Sequence, residues 1–140
     1  MAPAGHGPED CIFCPIVAHR SPSYTFYEDP FAVAFLDIFP FTRGHALVVP
    51  RRHVDRLTDL KVDEPGKLLA SVAAVCRRIE RLSRDYNISL NQGALAGQIV
   101  FHLHFHIIPR YDRQNPFNST SRPRLEPREA LELVHLLGDE

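Results

Sequence analysis

His102-Leu103-His104-Phe105-His106-Ile107-Ile108 alternates imidazoles with large apolar side chains. In an extended strand successive side chains point to opposite faces, so residues two apart share one. Read as a strand over residues 100–108, stopped by Pro109, the stretch lays His102, His104 and His106 along one face. Leu103, Phe105 and Ile107 then point the other way, into a core. Imidazole is a nucleophile, a proton carrier and a metal ligand near neutral pH. Three of them on one strand face point to chemistry rather than packing.

Around this strand the rest of the chain supplies a sheet and a helix. Residues 26–28 and 32–36 read as two strands joined at the turn signal Asp29-Pro30. Residues 44–49 read as a third, stopped by Pro50, which has no ladder donor. Residues 88–91 read as a fourth. Between them, residues 64–86 carry Leu68, Leu69, Val72, Val75, Ile79 and Leu82 at helical spacing, with Cys76 as a small buried hydrophobe. Residues 37–40 and 93–98 are loops, the second without the Gly-Lys-Ser/Thr ending of a P-loop. Pro127-Arg128-Glu129 opens a short terminal helix carrying Leu131, Leu133, Val134 and Leu137. The expected fold class is α+β: an antiparallel sheet of about five strands, one long helix packed on it, and a short C-terminal helix.

The 140 residues suit one domain with one core. Residues 1–10, rich in Pro, Gly and Ala, read as a disordered tail, 11–111 as the domain, and 112–140 as a C-terminal extension that is extended or mobile over 112–127. A net charge of −1 makes no electrostatic case for nucleic acid or a membrane as partner. No apolar run approaches a membrane span and no signal-peptide core is seen. Three cysteines, an odd and sparse number, argue against a disulfide framework and for a reducing cytoplasm.

Cys11-x-x-Cys14 is the close pair of a structural zinc site, whose remaining ligands must come from elsewhere; His53, just beyond Pro50, is the first candidate. The alternative is a pair of reduced core cysteines. Asn91 and Gln98 carry side-chain amides able to donate to phosphate oxygens, and Gly97 lets backbone approach a phosphate closely. Arg110 reads either as a contact to a further phosphate or as a strand-end surface residue. Ile12, Phe13, Phe35 and Ile38 suit either an apolar wall for a base or the core.

The pattern His-φ-His-φ-His-φ-φ, with φ apolar, is that of the histidine triad (HIT) family, which residues 102–108 match throughout. The likeness runs from about Cys11 to Arg110. It includes Tyr27-Glu28-Asp29, Leu36-Asp37-Ile38, the segment from Gly44 to His53, and Asn91 with Gly97-Gln98 ahead of the triad. The resemblance implies that His104 attacks the α-phosphate of a nucleotide and forms a covalent nucleotidyl-histidine. His106 would donate to the phosphate or leaving group, with His102 on the other side. It brings His45 to the same site and gives Asp37 the ribose hydroxyls. It also implies a structural zinc held by Cys11, Cys14, His53 and His102, a purine (AMP- or GMP-containing) nucleotide substrate, and a homodimer.

Substrates implied are dinucleoside polyphosphates or nucleoside phosphoramidates. Ile99 departs from the Ser or Thr that phosphoramidase-type members often carry there, and the ending His106-Ile107-Ile108-Pro109-Arg110 resembles polyphosphate-cleaving or zinc-bearing bacterial members. Two other classes fit the residues: a nucleotide-binding regulator with little turnover, and a catalytic metal site on His102, His104 and His106.

Overall fold

One antiparallel sheet is built from β1 (Thr25–Glu28), β2 (Ala32–Leu36), β3 (Ala46–Pro50), β4 (Tyr86–Ser89) and β5 (Phe105–Pro109), in the order β1-β2-β3-β5-β4. A short helix α1 (Phe13–Val17) precedes it, α2 (Glu64–Ile79) links β3 to β4, and α3 (Pro127–Gly138) closes the chain. The computed structural model describes residues 7–118 and 122–138. The α+β class and the five antiparallel strands are those expected from the sequence.

β2 is buried along its whole length because apolar residues cover both faces of the sheet. Ala32, Ala34, Leu36, Ala46, Val48 and Ile107 cluster with Leu68, Val72, Val75, Cys76 and Ile79 of α2. Alanines on that face let the helix come close. Val33, Phe35, Leu47 and Val49 cluster instead with Phe13 and Val17 of α1. Leu125, Ala130, Leu133 and Leu137 complete the α2 side, so the C-terminal residues share the domain's core.

Asp29 makes the first hairpin. Its Oδ1 accepts the N–H groups of Phe31 and Ala32, both at 2.7 Å, and its Oδ2 accepts the Tyr27 and Ser71 hydroxyls at 2.7 and 2.6 Å. One carboxylate thus closes the turn and pins α2 to it. Gly44 enters β3 with φ +89, and a Cβ there would lie 2.5 Å from Leu82 Cδ1. Only glycine meets both conditions cheaply.

The boundaries differ from expectation in places. α2 stops at Ile79, not Tyr86. The Ser83 hydroxyl donates to the Arg110 carbonyl at 2.7 Å and accepts the Asp85 N–H at 3.2 Å, which folds the chain back so that Tyr86 can start β4. Pro50 does not stop β3 short but is its last residue, opposite Ala32. Leu69 and Leu131, apolar positions of the two expected helices, are 65% and 64% exposed.

The histidine strand shows the largest change: β5 begins at Phe105, so His102 and His104 precede it. β3 pairs with β5 only as far as Val48 with Phe105. Upstream, the Leu103 N–H goes to the Val54 carbonyl at 2.7 Å instead of to a ladder. The expected alternation nevertheless survives, with Leu103 and Ile107 in the α2-side core. Residues 1–6 of the expected tail and 119–121 and 139–140 of the extension lie outside the described residues, while Pro8–Asp10 form a 3-10 turn.

Candidate functional site

Leu47 of β3 pairs with His106 of β5, which places His106 on the α1 side of the sheet, and His45 stands two residues before Leu47 on the same side. His104, one residue ahead of β5, lies with its ring 4.9 Å from that of His106, edge to face. Phe13 of α1 packs its edge on His104 at 5.2 Å and on Phe35 at 5.4 Å. Phe13 and Phe35 are therefore core, whereas Ile12 and Ile38 are 61% and 38% exposed and free to line a pocket.

Hydrogen bonding assigns the protons on these rings. A backbone N–H only donates, so His45 Nδ1 accepts from Phe41 at 3.0 Å. Neutral His45 then carries its proton on Nε2 and donates it to His106 Nδ1, also at 3.0 Å. His106 in turn keeps its proton on Nε2. A carbonyl only accepts, so His104 donates Nδ1–H to the His102 carbonyl at 2.7 Å. The lone pair of His104 is left on Nε2.

All three rings are held neutral. Burial, then the neighbouring His106, pushes His45 down to about 3. Burial pushes His106 down to about 4. Burial lowers His104 as well, partly offset by its bond to His102. The site thus presents a nucleophilic nitrogen beside an N–H donor.

Asp37 follows β2. Its Oδ1 accepts the Phe39 N–H at 2.8 Å, and its Oδ2 stands 3.6 Å from His45 Nε2. With His45 neutral this is a dipolar contact and not an ion pair. Burial holds the Asp37 carboxyl above the usual range.

The third imidazole faces elsewhere. His102 is fully buried and donates Nε2–H to the Pro50 carbonyl at 2.8 Å. Its Nδ1 lies 3.3 Å from Cys11 Sγ and 3.7 Å from Cys14 Sγ, and Cys14 Sγ lies 3.4 Å from His53 Nδ1. The four donor atoms all fall within 4.8 Å of one another. A tetrahedral zinc with bonds of about 2.0 Å to nitrogen and about 2.3 Å to sulfur needs donors some 3.5 Å apart, so the set fits. The Pro50 carbonyl supplies the outer hydrogen bond that fixes a ligating ring. Burial and the adjacent Cys11 raise the Cys14 thiol to about 11, so a metal would have to displace protons to bind.

The three triad rings do not converge. Among the described residues, the groups able to share a cation are the Cys11, Cys14, His53 and His102 quartet and Asp37, His45 and His106. A catalytic metal held by His102, His104 and His106 is therefore corrected: His102 turns to the cysteines. In the second group, the His45–His106 hydrogen bond accounts for the closeness of the nitrogens.

The loop before the triad is less direct than its sequence suggested. Asn91 lies two residues beyond Ser89, which pairs with His106, and Gly97, at φ +96, packs against the Asn91 amide. Gln98 is buried and braces the loop: its Oε1 accepts the Gly93 N–H at 2.8 Å, and its Nε2 donates to Asp55 Oδ1 and the Val100 carbonyl at 3.2 Å. Its donors are thus spent within the chain. Ile99 is 84% exposed. Arg110 donates to Asn87 Oδ1 at 2.8 Å and to the Gln114 carbonyl at 2.6 Å, a structural tie.

Arg122 and Phe41 were missed by the sequence reading. The Phe41 ring stacks on His45 at 5.6 Å and 15°, and the Arg122 guanidinium lies 3.9 Å from the centre of the Phe41 ring. No periodicity or motif marks either residue.

The family model described as the HIT domain matches residues 18–113. A hypothetical histidine triad nucleotide-binding protein from Sulfolobus tokodaii superimposes with a TM-score of 0.81 at 31% identity, over 91% of this chain and 89% of that one. A Zn-bound histidine triad family protein from Mycobacterium smegmatis gives 0.72 at 38% identity, over 94% and 95%. The adenylylsulfatase HINT3 of Arabidopsis thaliana is 35% identical over 82% of this chain and 59% of its own length. Among the described residues no helix is long and apolar enough to cross a membrane.

Proposed function

This chain belongs to the histidine triad (HIT) family, a family of nucleotide-binding proteins that includes hydrolases, and we propose that it hydrolyses or transfers at the α-phosphate of a purine nucleotide through a covalent intermediate on His104. The observation that carries the reading is the proton assignment. His104 gives Nδ1–H to the His102 carbonyl and keeps its Nε2 lone pair, while His106 keeps Nε2–H beside it.

In the first step His104 Nε2 bonds to the α-phosphorus, and the bond to the leaving group breaks, its electron pair departing with that group. The His106 Nε2–H hydrogen-bonds the oxygen on which charge grows. In the second step water oxygen bonds to phosphorus, the P–N bond returns its pair to His104 Nε2, and the proton of the water passes to solvent, which balances the anionic leaving group released in the first step. A neutral ring is required for the attack, which burial provides. His45 sets the tautomer of His106, and Asp37 takes the ribose hydroxyls.

Zinc held by Cys11, Cys14, His53 and His102 would supply structure alone, since four protein ligands leave no open position. The His102 side chain would serve that metal, and its carbonyl orients the nucleophile. The Zn-bound relative supports this part. The family likeness supports a homodimer, the sparse cysteines support a reducing cytoplasm, and the catalytic domain is residues 11–111 with α3 packed into its core. The test is chemical trapping of the nucleotide on His104 during turnover, and its loss in His104→Ala.

A further inference from the structure

The segment 122–125 is a strap along residues 38–41, the loop that leads from Asp37 to His45. The Leu125 N–H donates to the Ile38 carbonyl at 2.8 Å, and the Leu125 side chain is buried in the core, which fixes the strap's position. From this anchor Arg124 reaches over Phe39, its guanidinium 5.7 Å from the ring centre. Arg122 reaches over Phe41 at 3.9 Å. Alternate residues of the strap thus meet alternate residues of the loop that carries Asp37 toward His45. Phe41 is itself stacked on His45 and edged by Phe117 at 5.1 Å.

Arg122 Nη1 is buried and, among the described residues, has no hydrogen-bond partner. Buried donors almost always find acceptors, and a charged donor left without one is costly. A guanidinium held over an aromatic ring is pre-organised to take an oxyanion. The charge also falls on one side of the site. It disfavours protonation of His45 and His106 and favours the Asp37 carboxylate. Arg122 lies on Phe41, Phe41 stacks on His45 and His45 donates to His106, so the guanidinium stands on the His45–His106 side of the site, the leaving-group side. Arg110, the residue whose place in the sequence suggested a further phosphate contact, is already tied to Asn87 and Gln114.

We propose that Arg122 is a substrate-binding residue whose guanidinium takes the phosphate bonded to the α-phosphate, which makes nucleoside di- and polyphosphates the preferred substrate class over phosphoramidates. The inference rests on the placement of the leaving group beside His106 in the reading above, and it names the leaving group that reading left open. The exposed Ile99 offers no hydroxyl to a neutral amine leaving group, which agrees with it.

The test is equilibrium binding of AMP, ADP and adenosine 3′,5′-bisphosphate to wild type, Arg122→Gln and Arg122→Lys, with melting curves on each. Wild type should prefer ADP to AMP. Arg122→Gln should weaken ADP by about tenfold or more and AMP by no more than about twofold, the asymmetry expected when one charge-assisted contact is lost. Arg122→Lys, which keeps the charge without the fork, should hold ADP more tightly than Arg122→Gln. The proposal is overturned by an unchanged ADP-to-AMP ratio in Arg122→Gln, by equal losses for both nucleotides, by equal ADP affinity in the two variants, or by a loss confined to the 3′-phosphorylated ligand. Turnover plays no part in these measurements, so failure of covalent catalysis at His104 would leave them standing, and their failure would leave His104 untouched.

Discussion

Replacing His45 by glutamine should make the fold less sensitive to acid. His45 is fully buried, and burial with its neighbour His106 holds its pKa near 3. In the unfolded chain the ring titrates near 6.5. The folded pKa is the lower one, so below pH 6.5 the unfolded state binds a proton that the folded state refuses. Stability is then lost as pH falls, by about 1.4 kcal/mol for each pH unit, until the folded pKa is reached. Between pH 7.5 and pH 5 one such ring costs about 2 kcal/mol.

Glutamine removes the titration while its amide can still donate toward His106 Nδ1. Urea unfolding at a series of pH values, with zinc held constant, measures the difference. His45→Gln should start less stable at pH 7.5 and lose about 2 kcal/mol less than wild type on the way to pH 5. Parallel stability profiles for the two proteins would refute the buried neutral ring, and with it the proton assignment along Phe41, His45 and His106.

Two further predictions concern the scaffold. Gly44→Ala combines a positive φ, costing about 1–2 kcal/mol, with a Cβ placed 2.5 Å from Leu82 Cδ1, which adds about 1–3 kcal/mol of overpacking. A loss of about 2–5 kcal/mol in urea unfolding is expected, and an unchanged midpoint would contradict it. The purified chain should hold about one zinc, and Cys14→Ser or His53→Ala should lose both the metal and thermal stability, since structural zinc binding is folding free energy; wild type stripped of metal by a chelator yet unchanged in melting temperature would exclude the site.

The parts of this molecule readable from sequence are those set by local periodicity. Leu68, Val72, Val75 and Ile79 announced α2, and the alternation of Leu103, Phe105 and Ile107 with histidines announced which side chains enter the core. The ends of elements were less readable because tertiary partners decide them. β5 starts late because the Leu103 N–H is taken by Val54, and α2 ends early because Ser83 is drawn to the Arg110 carbonyl. The site residues were visible as residue types, but not which nitrogen bears a proton, since that depends on Phe41 N–H meeting His45 and on the His102 carbonyl meeting His104. Gln98 was legible as an amide donor, but not its bonds to Gly93, Asp55 and Val100, which depend on how the loop folds. Arg122 was illegible because its position comes from Leu125 in the core and Phe41 beneath it, both remote from it in pattern.

The covalent step at His104 is the centre of the account, and it can be observed directly. Wild type mixed with a radiolabelled dinucleoside polyphosphate should be quenched within a turnover and digested, and the labelled peptide sequenced by mass spectrometry. The account predicts one nucleotidyl group on His104, none on His102 or His106, and no adduct in His104→Ala, which should still bind nucleotide while losing turnover by orders of magnitude. An adduct on another residue, or turnover in His104→Ala above about a tenth of wild type, would contradict it.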